Sequence, residues 1–327
     1  MIQGLISRRL LIVMGKGGTG KTTIAAALGV LAARRGAETA VIEVGPEPAL
    51  PGLLTAGPGL ELPDRQRQPV EVAPHLAIMR IAPLVALEEY LELQFPVRRL
   101  VAALVGNHGF QRFLAAAPGW RELITLGKIW HVEQQMRGGQ PRYDLIVVDA
   151  PAAGHGLSFL SVPSIVLDSV RLGPLRRHTA AVWRLLRDPE RTLLVPVTLP
   201  EELPVKEVLE LCERVRALGL RVGAPIVNCV ERPPASSELE EVLDPLGRVP
   251  AEGAPSRLVD PDVLGAVLRH QLTRARLQRE FIDKLGAGSG SIPLELPCLA
   301  EGIDGPGALG RLADELESTL EGAESPA

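Results

Sequence analysis

Residues 10–24 read LLIVMGKGGTGKTTI, and the fold turns on how that stretch divides. Residues 10–13 are apolar throughout, as in a short buried strand, and good helix formers follow from Thr22, so the glycines between occupy a strand-to-helix turn. Gly15, Gly20, Lys21 and Thr22 fill every fixed position of the pattern G-x-x-x-x-G-K-[ST]. Side-chain-free positions let successive backbone N–H groups converge on phosphate oxygens, and the amino end of the helix favours the same anion. Gly15, Gly17, Gly18, Thr19, Gly20, Lys21, Thr22 and Thr23 are therefore expected to wrap the phosphates of ATP. Lys21 would reach the β- and γ-phosphates, and the Thr22 hydroxyl would complete a magnesium (Mg2+) shell. The bland alternative is a glycine-rich turn that binds nothing; the strand before it and the helix after it argue against that.

Outward from this turn, residues 22–35 carry Ile24, Leu28 and Leu31 at helical spacing, Gly36 is a stop signal, and residues 40–44 form a second apolar strand. A strand, a crossover helix and a strand begin a right-handed parallel unit, so the predicted class is α/β, a doubly wound, mostly parallel sheet of the P-loop NTPase kind. Residues 45–74 turn to Pro, Gly and polar composition and read as loop, followed by a strand at 76–81. Residues 84–137 are mostly helical, with Leu84, Leu87, Leu91, Leu100 and Leu104 marking apolar faces. YDLIVV at 143–148 reads as a central strand buried on both faces.

Two helices are predicted within 163–187, then a strand at 192–197, a helix at 201–218 and a strand at 222–227. A long helix at 262–285, a flexible joint at 286–290, a strand at 292–296 and a closing helix at 307–320 complete the chain. With no internal repeat, the reading is one P-loop ATPase domain over 1–327, with residues 84–137 and 163–190 as a helical subdomain inserted between sheet strands.

Composition narrows the partners. A net charge of −4, with arginines interspersed among acids, leaves no electrostatic footprint for nucleic acid, and 3% aromatics supply no stacking platform for bases. Three widely spaced cysteines suggest a reducing compartment without a disulfide framework. No apolar run is long enough to span a bilayer and the amino terminus carries no cleavage-type signal, so a cytoplasmic protein is expected.

Opposite the phosphate loop, Asp149 ends the apolar strand and precedes APAAGHG. That is where a phosphate-loop ATPase keeps its magnesium-side aspartate, so Asp149 joins Thr22 as a metal-site residue; an ordinary turn cap is the alternative. Pro151, Gly154 and Gly156 make the next turn mobile enough to follow the γ-phosphate, with the Gly154 N–H as a contact. His155 reads as a structural hydrogen-bonder rather than a base. Asn228 ends APIVN, where a carboxamide can donate to and accept from an adenine edge at once, or merely cap a strand.

KGGTGKTT, with Lys16 two places into the loop, resembles the deviant Walker A motif of the ArsA-type ATPases, and DAPAAGHGLSFL is similar to that family's second switch, D-T-A-P-T-G-H. The family includes arsenical-pump-driving ATPases and cytosolic ATPases that target tail-anchored membrane proteins. The resemblance covers roughly residues 10–320 and implies an ATP-dependent dimer, with itself or with a paralogue, that sandwiches nucleotide across its interface. It implies that Lys16 reaches across to the partner's nucleotide and neutralises charge on the transferring phosphoryl group, that Asn228 reads adenine, and that residues 294–304 close over the base. It also implies a client, a membrane protein or another hydrophobic segment, handled by the inserted helices.

The departures matter as much. The family's first switch, D-P-A-H, carries the aspartate that orients the attacking water, and in VIEVGPEPAL Gly45 stands at that place. Glu43 is the expected catalytic substitute, with Glu47 the other nearby carboxylate, and without either a nucleotide-binding regulatory or scaffold subunit is the alternative. The Cys-x-x-Cys pair of a zinc-clamped dimer is absent, so no zinc is expected, and Cys212 lies on the apolar face of its helix. A surface-positioning ATPase of the cell-division or plasmid-partition kind shares the Lys16 signature, but no basic amphipathic helix closes the chain.

Overall fold

In the computed structural model, which describes residues 5, 7–45, 48–55, 62–63, 65–95, 97–232, 261–299 and 301–322, strand β1 (Leu10–Gly15) is buried from end to end at the middle of a sheet. Helix α1 (Lys21–Arg34) follows the phosphate loop and leads to β2 (Thr39–Glu43). β2 does not pair with β1. Strand β7 (Leu145–Asp149) lies between them, parallel to both, with Val13 opposite Asp149 on one side and Glu43 opposite Asp149 on the other. The first strand-helix-strand unit therefore skips a position, which carries Asp149 to the edge of the phosphate loop.

Strands β8 (Thr192–Thr198), β9 (Ile226–Val230) and β10 (Leu294–Pro297) extend the sheet beyond β1, and β4 (Leu76–Arg80) extends it beyond β2, all parallel. Residues 70–73, expected as loop, form β3 (Val70–Ala73), antiparallel to β4 through a turn at His75, whose φ is 61°. The order is β10-β9-β8-β1-β7-β2-β4-β3. A small hairpin of β5 (Met136–Arg137) and β6 (Gln140–Pro141) was not legible in the sequence.

Side chains alternate between two cores, as strand geometry requires. Leu11, Val13, Val41 and Val147 face α1 and the closing helix α11 (Pro306–Gly322). Gly29 lets α1 approach closely, for a Cβ there would lie 2.3 Å from Val41 Cγ2. Leu10, Ile12, Met14, Ile146 and Val148 face the other layer. Helices α2 (Leu50–Leu54), α3 (Pro83–Gln94), α4 (Arg98–Val105), α5 (His108–Ala116) and α6 (Trp120–Glu133) precede β7. Helices α7 (Ala153–Ser169) and α8 (Pro174–Arg187) follow it. Glu133, fully buried at the end of α6, takes hydrogen bonds from Arg9 at 2.8 Å and from Arg191 at 2.6 and 2.7 Å, which ties that layer to the start of β1 and β8.

Several sequence expectations are corrected. α7 starts ten residues before 163, so Gly154 and Gly156 belong to its first turn, not to a mobile turn, and Pro163 lies inside the helix. Helix α9 (Glu202–Ala217) packs on α10 (Pro261–Ser289), which runs through the expected joint at 286–290. Gly288 is there for proximity, since its Cβ would meet Leu209 Cδ2 at 2.8 Å, and Gly290 (φ 68°) ends the helix. Asn228 sits inside β9 rather than at its end. Of the leucines that mark apolar faces in 84–137, Leu87 is core, whereas Leu84, Leu100 and Leu104 are exposed. Among the described residues no helix is long and apolar enough to cross a membrane.

Candidate functional site

The site is built at the carboxyl ends of β1, β7, β2 and β8, where α/β sheets bind ligands beside a change in strand order. Two of its glycines are obligatory. A Cβ on Gly15 would lie 2.0 Å from the Val197 carbonyl oxygen of β8. Gly20 has φ 86°, a left-handed conformation, and its Cβ would strike Asn228 Nδ2 at 2.3 Å. Asn228, nearly buried, donates through that nitrogen to the Thr19 carbonyl at 3.1 Å and so braces the loop from β9. Its Oδ1 and second N–H are not used by that bond. Cys229 beside it adopts φ 57°, an unusual backbone for a residue with a side chain.

Inside the loop, the Lys16 carbonyl gathers donors: Lys21 Nζ at 2.8 Å and Thr19 Oγ1 at 3.0 Å. Burial pulls the Lys21 ammonium below its ordinary pKa, with Asp149 opposing the shift. A partly desolvated cation whose Nζ bonds a carbonyl of its own loop is a group prepared for an anion. Lys16 points away, with its Nζ 3.1 Å from Glu207 Oε1 on α9, both side chains about one-third exposed.

Across from Lys21, Thr22 Oγ1 donates to Asp149 Oδ2 at 2.5 Å. The other oxygen, Asp149 Oδ1, is buried without a hydrogen-bond partner among the described residues. Glu43, 3% exposed beside it on β2, accepts from the Ala49 N–H at 2.8 Å through Oε1, while Oε2 is likewise unpartnered. Burial pushes both carboxyls above their ordinary values, and for Glu43 the neighbouring Asp149 adds to the push. Asp149, opposed by Lys21, and Glu43, opposed by Arg80, each keep one buried oxygen orphaned, and a hydroxyl-plus-carboxylate pair at a helix start fits a hydrated divalent cation. Thr22 and Asp149 are the residues that could hold magnesium, which would there neutralise phosphate oxygens.

The orphaned Asp149 carboxylate has a measurable consequence. Asp149→Asn keeps an acceptor for Thr22 and removes the buried charge, so in mildly alkaline buffer without ligand it is expected to raise the melting temperature by about 2–6 °C. Because the folded-state pKa lies above the unfolded value, the wild-type penalty is complete above that raised value, shrinks as pH falls through it, and vanishes below the ordinary value of 3.8. Thermal melts of both proteins across that range check the sign. A variant less stable than wild type at alkaline pH would contradict it.

The remaining predicted site residues divide. Gly17 and Gly18 are exposed at the loop's crest, with Gly18 at φ 84°, and Thr23 follows in the first turn of α1. Gly154 stands in the first turn of α7, and Gly156 has no room for a side chain, its Cβ falling 2.4 Å from Met14 Cε. Gly45 follows β2 with open space around its Cβ position. Glu47 and the His155 side chain lie outside the described residues. The 294–304 stretch begins as the edge strand β10, pinned by Cys298 N–H to the Val230 carbonyl at 3.0 Å. Sequence reasoning missed Glu207. Its one signal is position: a helix following the strand next to β1 brings its early acidic residues near the phosphate loop.

Comparison with known proteins shows the family. The family model described as anion-transporting ATPase matches residues 8–177. The ATPase BagA of Mycobacterium tuberculosis is 32% identical over 320 residues, covering 94% of this chain and 92% of its own. The ATPase GET3 of Kluyveromyces lactis is 23% identical over 254 residues, covering 68% and 72%. The arsenical pump-driving ATPase of Escherichia coli is 27% identical over 221 residues, 67% of this chain and 34% of its own.

Proposed function

The chain belongs to the anion-transporting ATPase family, the ArsA-type ATPases, and we propose that it binds ATP with magnesium, closes into a dimer around the nucleotide, and hydrolyses it to handle a client. The observation that carries this reading is the meeting of Thr22 with Asp149 under an unfilled carboxylate oxygen, next to a partly desolvated Lys21. Lys21 and the loop amides hold the phosphates, and Asn228 offers its remaining carboxamide groups to adenine. Lys16 serves the partner's nucleotide. Glu43 orients the attacking water through its unpartnered Oε2 while Oε1 holds the following loop at Ala49.

Residues 84–137 and 163–190 form the client-handling helical subdomain. Its support is the run of exposed apolar residues there, Leu93, Phe95, Val97, Leu100, Leu104 and Ile165. The protein is cytoplasmic, and its dimer partner is a second copy or a paralogue.

Gly45 favours one second reading. Where the family places an aspartate, this chain has no side chain, so a nucleotide-binding scaffold subunit with little turnover remains the competitor.

Phosphate release, together with mass in solution with and without magnesium and a non-hydrolysable ATP analogue, separates the two. The ATPase reading expects steady phosphate release, doubling of mass with the analogue, and a fall in turnover of about tenfold or more in Glu43→Gln with nucleotide affinity kept. Nucleotide binding with no phosphate release from wild-type protein would hand the case to the scaffold.

A further inference from the structure

Away from the phosphate loop, helices α3, α6 and α8 enclose a cavity of about 310 Å³. Each contributes one stripe at helical spacing: Tyr90 and Leu93 on α3, Gly127 and Trp130 on α6, Leu175, His178, Thr179 and Val182 on α8. The exposed Leu93 and Leu175 mark its mouth. None of these residues takes part in the nucleotide site.

Three features say that the space is built to be filled. The first is Thr179, 1% exposed, whose hydroxyl has no hydrogen-bond partner among the described residues, although a helical threonine can ordinarily turn back to the carbonyl four residues earlier. The second is Gly127, placed in the interior of α6, where glycine costs about 1 kcal/mol of helix stability relative to alanine. Nothing lies within 4 Å of its Cβ position, so packing does not demand a glycine there and the omitted side chain leaves room in the cavity. The third is the aromatic wall: His178 meets Tyr90 edge-on at 5.4 Å and 81° and lies 6.3 Å from Trp130 at 35°, with His178 Nδ1 3.3 Å from the Tyr90 hydroxyl.

The wall also fixes the charge of the occupant. Arg67 is paired with Glu92 at 2.9 Å, Lys128 with Glu89 and with the Arg67 carbonyl, and Arg98 lies 3.9 Å from Glu92. His131 is pushed toward its neutral form by burial and by Lys128. The inner cations of the wall, Arg67 and Lys128, are thus already answered by acids, while Arg98 shares Glu92 and stands 82% exposed to solvent.

The geometry points to a second ligand site, in the helical layer, for a small uncharged planar aromatic molecule of about a dozen non-hydrogen atoms with one hydrogen-bonding group placed toward Thr179.

Calorimetry on the full chain with naphthol, naphthalene and naphthoate tests this. Naphthol is expected to bind one per chain with micromolar affinity, and naphthoate about tenfold or more weaker, since its charge would be desolvated beside inner cations already paired with Glu89 and Glu92. Filling the space by Gly127→Phe should weaken naphthol at least about tenfold, and Ala86→Leu, on the α3 wall, does the same if the first variant fails to fold. Thr179→Val should weaken naphthol about fivefold and leave naphthalene unchanged. Naphthoate binding as tightly as naphthol, naphthol binding undiminished in folded filling variants, or no saturable binding up to the solubility of naphthol would each overturn the proposal.

Discussion

Replacing Lys21 by alanine is expected to lower the affinity for ATP with magnesium more than a hundredfold while leaving the fold intact. The side chain is partly desolvated, its ammonium bonds the Lys16 carbonyl at 2.8 Å, and burial already weakens its hold on the proton. Truncating one member of a desolvated, hydrogen-bonded charge pair typically costs about 3 kcal/mol, which is over two decades in affinity. The same truncation removes a desolvated charge from the ligand-free protein, so the melting temperature is expected to stay within a few degrees of wild type, about 3 °C. Calorimetry with a non-hydrolysable analogue measures the first quantity and a thermal melt the second. Wild-type affinity in a folded Lys21→Ala protein would remove the phosphate site from residues 15–23 altogether.

The second large effect is kinetic. Lys16→Ala is expected to keep nucleotide affinity within about twofold and to cut phosphate release about a thousandfold, the lower reach of what a cation supplied in trans contributes to phosphoryl transfer. In the single chain Lys16 rests on Glu207 at 3.1 Å, with both side chains about one-third exposed. A pair so solvated is worth about 0.2–1 kcal/mol, so leaving it for a partner's nucleotide is a small step. Glu207→Gln separates the two situations of Lys16: it should bind nucleotide normally and release phosphate at least as fast as wild type, because only the resting contact is lost. Single-turnover phosphate release and mass in solution with the analogue check both variants. Hydrolysis at the wild-type rate in Lys16→Ala would leave that lysine as an exposed side chain without a catalytic role.

Much of the architecture was legible before any coordinates. The helices at 21–34, 202–217 and 306–322 and the strands at 10–15, 145–149 and 192–198 follow from runs whose apolar spacing is local and strong. The misreadings share one cause. Gly154 and Gly156, Pro163, Gly286 and Gly288 are breakers by local preference, yet α7 and α10 run through them because packing outweighs propensity. In Gly288 and Gly156 the missing side chain serves a close contact, with Leu209 in one case and Met14 in the other. A short β3 next to a turn at His75 carries too little pattern to stand out from loop.

For the site the division is sharper. The amino-acid sequence alone determined the glycine-rich turn on which the proposed phosphate site rests, because its backbone amides, Lys21 and Thr22 are supplied by consecutive residues. Only tertiary structure decided what surrounds it. β7 slides between β1 and β2 and brings Asp149 against Thr22, 127 residues away; β9 lends Asn228 to the Thr19 carbonyl across 209 residues; and α9 offers Glu207 to Lys16 across 191. A local motif is written in bond geometry and spacing, whereas strand order is settled by which apolar faces bury one another, a competition that runs over the whole chain and leaves no mark at any single position.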